Sequence, residues 1–116
     1  MLLLITSPEN LADLDKIQGI NKKISDPRGV TREEIDNYIQ EGKAVVFQSM
    51  SLHASEVGGT QMTPELAFDL LSRNDRDTKR ILDNVLFFMI PSFNPDGQVM
   101  ITDWYMAKTS EAFCGS

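Results

Sequence analysis

Lys43-Ala44-Val45-Val46-Phe47-Gln48-Ser49-Met50 runs straight into Ser51-Leu52-His53-Ala54-Ser55-Glu56, and this passage decides the fold. Residues 43–50 are β-branched, aromatic and aliphatic without helical spacing, which predicts a buried strand. The polar chemistry sits just past its end. A second run of the same kind, residues 85–90 (VLFFMI), is closed by Pro91. Between the two lies a helical stretch, with Thr63 expected as N-cap, Pro64 at the first helical position, and Ala67, Leu70 and Leu71 facing inward. Residues 72–77 bend or break it before Ile81 and Leu82. Strand, helix, strand of this length is a βαβ unit, which makes the two strands parallel. Continuous hydrophobicity in residues 44–47 and 85–90 implies that helices cover both faces of the sheet. The predicted class is therefore α/β, a mixed, mostly parallel sheet with helices on both faces.

Working outward, residues 1–6 (MLLLIT) read as a short strand, and Ser7-Pro8-Glu9 supplies a cap, a proline for the first turn and an acid near the helix N-terminus. Leu11, Leu14, Ile17, Ile20 and Ile24 form a helical stripe to about Ser25, with Gly19 as a weak point. Asp26-Pro27-Arg28-Gly29 breaks it. Thr31 and Glu34 have capping-box spacing ahead of a second helix with Ile35, Tyr38 and Ile39 on its apolar face, stopped at Gly42. Residues 25–42 are the best candidate for a flexible or inserted piece. A strand at residue 1 without a lead-in turn, and weak periodicity over residues 103–116, give the expectation that residues 1–116 are a single partial domain.

Composition removes several function classes. The chain has 116 residues, 17 acidic against 11 basic, a net charge of −6, one histidine and one cysteine. Its basic residues are scattered, so the electrostatic grip on phosphate backbones is missing and nucleic acid is not an expected partner. Cys114 has no partner for an internal disulfide and no second histidine to activate it as a nucleophile. No apolar run approaches the roughly 20 residues that span a bilayer, so no membrane partner is expected. Residues 1–5 lack the basic region and length of a signal peptide, and the compartment stays open.

In open α/β sheets ligands bind beyond the carboxyl ends of the strands. Two loops qualify, residues 51–59 and residues 92–97, and a parallel pair brings them to the same sheet edge. His53, Glu56, Asn94 and Asp96 can then lie near one another. His53 and Glu56 are spaced H-x-x-E, which lets an imidazole and a carboxylate reach one Zn²⁺ at about 2 Å, and a catalytic zinc needs three protein ligands and a water. Spacing alone leaves the rival open that His53 caps or packs. Asn94-Pro95-Asp96-Gly97 fits an ordinary type I turn. Gly58-Gly59 lacks the spacing of a nucleotide fingerprint. Asp75, Asp77 and Asp83 read as a solvated face.

Residues 45–108 resemble zinc carboxypeptidases of the M14 family, especially a bacterial branch. The strand before H-x-x-E, the strand ending in N-P-D-G, Ser72-Arg73-Asn74-Asp75 after the helix and Asp103-Trp104-Tyr105-Met106 after the turn are in register with that family, and residues 1–10 (MLLLITSPEN) resemble its second strand and exit. The resemblance implies that His53 and Glu56 are the first two zinc ligands and that Asn94, Pro95, Asp96 and Gly97 form a site-shaping turn. It implies zinc as cofactor and a peptide or small amide as substrate, hydrolysed at the C-terminal bond. The family's third ligand (a histidine), its general-base glutamate and its carboxylate-binding arginine lie further downstream and have no position in this chain. Proteins of this family are often secreted.

Pro64 falls where the family's helix runs on. That helix therefore either kinks or starts at Thr63, which would leave Glu56 in a loop. The expectation is the N-terminal portion of a metallocarboxypeptidase domain, inactive alone and a weak zinc binder at best. Two rivals are an aspartoacylase-type zinc amidohydrolase, which shares H-x-x-E but usually has Gly-Asn where Ala54-Ser55 stand, and a non-catalytic fragment or interaction module.

Overall fold

The computed structural model describes residues 1–114, and side chains to residue 109. Three strands and six helices follow one another among the described residues: β1 (Leu3–Ile5), α1 (Pro8–Ala12), α2 (Leu14–Ser25), α3 (Arg32–Glu41), β2 (Ala44–Ser49), α4 (Val57–Ser72), α5 (Arg76–Asn84), β3 (Val85–Ile90) and α6 (Pro95–Cys114). The sheet order is β1-β3-β2. Strand directions follow from the hydrogen bonds at the strand ends. Met50 N–H donates to Ile90 O at 3.0 Å and Phe93 N–H to Met50 O at 2.9 Å, the slanted alternation of a parallel pair. Just past the end of β1, Ser7 N–H and the Thr6 hydroxyl bond to Leu82 O ahead of β3, and the same hydroxyl reaches Val85 O at its start. β1 therefore runs antiparallel to β3, and the sheet is mixed as expected.

The chain divides into two compact units, one made of Leu4–Phe47 and Ser72–Phe88, the other of Met1–Leu3, Gln48–Leu71 and Met89–Ser116. In the first, Ile5, Ile17, Ile20 and Leu86 are buried. Asn10, also buried, donates from its amide to Leu82 O at 2.9 Å and Asp83 O at 3.1 Å, which ties α1 to the end of α5. Asn21 does the same for α2, donating to Lys43 O at 2.9 Å and accepting from Lys43 N–H at 3.3 Å at the entry to β2. The stripe expected to make one helix is split at Asp13, which ends α1 and begins α2. Gly19 lies inside α2 without breaking it. Residues 25–42, read as flexible or inserted, contain α3, which has the full Thr31–Glu34 capping box and packs against α2.

Two burial and boundary expectations are corrected. β3, central in the sheet, is half-buried to buried throughout, whereas β2 is exposed at every position, Val45 and Phe47 by 55% and 58%. β2 is an edge strand, and unlike β1 at the other edge, which is half-buried to buried, its apolar run is left without cover. Second, α4 starts at Val57, not at Thr63, and carries Pro64 in its interior. Proline removes one helical hydrogen bond without ending a helix whose other turns are held. Thr63, almost wholly buried, turns its hydroxyl back to Gly59 O at 2.9 Å instead of capping.

Asp75 is more than a solvated acid. It caps α5, accepting from Asp77 N–H, Thr78 N–H and the Thr78 hydroxyl. The amide and then the hydroxyl of Thr78 hold its carboxyl below the usual carboxylate range. A carboxylate whose folded pKa is lowered stabilises fully above its unfolded value, and the stabilisation is lost as pH falls through the folded one. Asp75→Asn keeps an acceptor but removes the charge, so its melting temperature should drop less than that of the wild type between neutral and acidic pH. Asn10→Leu should cost about 2 kcal/mol in chemical denaturation, because it strips a buried donor from the Leu82 and Asp83 carbonyls.

Candidate functional site

β2 ends at Ser49, and two residues later the backbone turns through Ser51, the one non-glycine residue with positive φ among the described residues, at 53°. Glu56 N–H donates to His53 O at 3.1 Å, so the four residues of H-x-x-E close on themselves just before α4 begins. This places Glu56 against the helix start. The Glu56 carboxylate folds back over the turn, with Oε2 accepting from His53 N–H at 3.3 Å and Oε1 2.9 Å from His53 Nδ1.

The His53 side chain is 75% exposed and that of Glu56 56%. His53 is therefore not a packing residue, and its ring faces solvent beside the carboxylate. The imidazole hydrogen bond, with a second from the His53 amide, lowers the Glu56 carboxyl below its ordinary value. Two ligand atoms each about 2.0–2.2 Å from a tetrahedral ion stand about 3.3–3.6 Å apart. Nδ1 and Oε1, at the hydrogen-bond separation of 2.9 Å, would have to part by about half an ångström to take that edge. A metal would take the Nδ1 lone pair, so that nitrogen cannot hold a hydrogen for Glu56 and a metal together. No group of three or more histidine, cysteine, aspartate or glutamate residues that could hold a metal occurs among the described residues.

Asn94-Pro95-Asp96-Gly97 is not a free turn. It is the start of α6, with Pro95 at the first position and Asp96 exposed in the first turn. Asn94 Oδ1 accepts from Gly97 N–H at 3.0 Å, and Asn94 O accepts from Gln98 N–H at 3.1 Å. A type I turn and the first turn of a helix share their central dihedrals, which is why the sequence pattern fits both. The Asn94 amide also donates across to Leu52 O at 3.2 Å, next to His53. The two loops expected to share a sheet edge are thus directly bonded.

Below H-x-x-E lies a set of hydroxyls that no sequence signal singled out. The buried Ser51 hydroxyl donates to Glu56 O in a very short bond, and Ser51 Oγ accepts from Thr60 N–H at 3.1 Å. Thr60 Oγ1 lies 3.0 Å and Ser92 Oγ 2.6 Å from Gln98 Oε1. The pairings span up to 38 residues of sequence, and no local pattern marks them. Gly59 packs closely here, and a Cβ on it would stand 3.3 Å from Ser51 Oγ, a tight contact. Cys114 lies outside the described side chains.

The family model for zinc carboxypeptidases (Peptidase M14) matches residues 18–115. The chain belongs to this family, and at family level it is a metallocarboxypeptidase with zinc and peptide substrates. Searches of curated proteins and of solved structures found no match. No helix among the described residues is long and apolar enough to cross a membrane.

A Cβ on Gly97 would fall 2.6 Å from Asn94 Nδ2 and 2.7 Å from Asn94 Oδ1, displacing the side chain that caps α6. Gly97→Ala should therefore lower the melting temperature and shift the backbone NMR signals of residues 52–56, while leaving those of α3 unchanged.

Proposed function

We propose that this chain is the N-terminal portion of a zinc carboxypeptidase catalytic domain and that His53 and Glu56 are two of its zinc ligands. The observation that carries the reading is the pair itself: an imidazole nitrogen and a carboxylate oxygen, both exposed and 2.9 Å apart, at the C-terminal end of a parallel strand in a chain of this family. When bound, zinc supplies a water of lowered pKa and a Lewis acid for a peptide carbonyl. The chain's own residues hold that position. Ser51 and Gly59 fix the Glu56 carbonyl, the His53 amide orients the carboxylate, and Asn94 with Gly97 ties the turn to α6.

The partial-domain reading is supported by apolar surface left open on three elements. Val45, Val46 and Phe47 on β2, Phe68 and Leu71 on α4, and Val99, Met100, Trp104, Tyr105 and Met106 on α6 are all exposed. Clusters of this kind mark surfaces that another part of a protein covers. With two ligands and no third among the described residues, zinc binding is weak and catalysis absent, because affinity and the polarised water both depend on the closed set.

The test is a Zn²⁺ titration of the 116-residue chain followed by backbone NMR, which reads weak binding. Saturable shifts confined to residues 51–60, abolished in His53→Ala and in Glu56→Ala, are expected, with no hydrolysis of a C-terminally unblocked peptide. Identical behaviour of wild type and both variants would favour a non-catalytic module. Peptide hydrolysis by the wild-type chain that His53→Ala removes would overturn the claim of inactivity.

A further inference from the structure

We propose that Gln98 is a positioning residue for the His53–Glu56 pair, acting through Thr60 and Ser51; the inference rests on the zinc-site reading above. Neither His53 nor Glu56 is held by packing, since both side chains face solvent. Their aim is set by the backbone they hang from, and α6 grips that backbone on both sides. Asn94 reaches Leu52 O, immediately before His53. Gln98, one helical turn further along, reaches the other side, the carbonyl of Glu56, in three steps.

The hydrogens can be counted. Gln98 Oε1 is an acceptor only, so the Thr60 and Ser92 hydroxyls both donate to it, at 3.0 and 2.6 Å. Thr60 has then spent its one hydroxyl hydrogen, and the 2.9 Å contact between Thr60 Oγ1 and Ser51 Oγ needs a hydrogen from Ser51 or none. Ser51 gives its hydrogen to Glu56 O and accepts from Thr60 N–H. The link from Gln98 to Glu56 therefore runs through Thr60 as a residue: its hydroxyl is held by Gln98 Oε1, its amide donates to Ser51 Oγ, and the Ser51 hydroxyl donates to Glu56 O. Removing that acceptor releases the Thr60 side chain from α6, and with it the hold on the residue whose amide donates to Ser51 Oγ. Ser51 also sits at φ 53°, a conformation that a residue with a Cβ keeps only where its surroundings fix it. Here they are Thr60 and the carbonyl of Glu56.

The experiment compares Zn²⁺ affinity, by the same NMR titration, in wild type, Gln98→Leu, Gln98→Glu and Thr60→Val, with His53→Ala as reference and hydrogen exchange at the Thr60 amide as a second readout. Gln98→Leu should weaken zinc binding by about tenfold or more, the usual scale for residues that orient a metal ligand, and should speed Thr60 amide exchange. A carboxylate accepts from both hydroxyls as the amide oxygen does, so Gln98→Glu should restore affinity and Thr60 protection together. If Gln98→Leu does not fold, Thr60→Val, which keeps shape and amide but loses the hydroxyl, carries the same expected loss. Wild-type affinity in a folded Gln98→Leu, or a loss that Gln98→Glu leaves unrepaired, overturns the positioning role and leaves the zinc reading standing. Wild-type binding no better than that of His53→Ala overturns the zinc reading and this role with it.

Discussion

Met50 is the hinge on which the site depends. Its N–H donates to Ile90 and its carbonyl accepts from Phe93, so one residue continues the parallel pairing of β2 and β3 past the ends of both strands. This fixes the register in which the chain leaves each strand. Residues 51–60 and 92–98 therefore emerge side by side, and the cross-loop bonds of the site follow from that register: Asn94 to Leu52 and Thr60 to Gln98. A one-residue slip would turn every side chain of a strand to the opposite face and separate these partners. The apolar side chains of Met50 and Met89, both buried, oppose such a slip.

Helix starts carry much of the polar order. Ser7, Thr31, Asp75 and Asn94 each satisfy amides that a helix leaves without partners. At all four of these helix starts an acid lies in the first turn, where the helix dipole favours it. Glu56 is placed differently. Its carboxylate folds back on the preceding turn, pairs with an imidazole and stays open to solvent, an arrangement that spends a charged group on the loop ahead of the helix. Its carbonyl, held by Ser51, is what ties that loop to the chain beneath.

Much of the architecture was legible because it rests on local chemistry. The capping box at Thr31 and Glu34, the Ser7-Pro8 start, the stop at Gly42 and the strand over residues 85–90 depend on neighbours within four residues, and these the sequence carries openly. Exposure of β2 was not legible, since KAVVFQSM has the same character whether its strand is central or at an edge. Pro64 misled for a related reason: it is favoured at a helix start, but a helix already under way from Val57 tolerates it. The N-P-D-G pattern was seen and its geometry mistaken, because a turn and the first turn of a helix ask for the same residues.

By itself the sequence determined the α/β class and the family, and it supplied the two residues proposed as metal ligands, because residue type, spacing and strand-end placement are properties of short segments. Only the tertiary structure decided what lies against the turn that carries them: a serine at positive φ, a threonine and a glutamine brought together from two separate segments. Hydrogen bonds between residues 38 positions apart leave no trace in local pattern, since each partner alone is an ordinary polar side chain. Their meaning comes from the register of two strands, and that register is set where the chain folds back on itself.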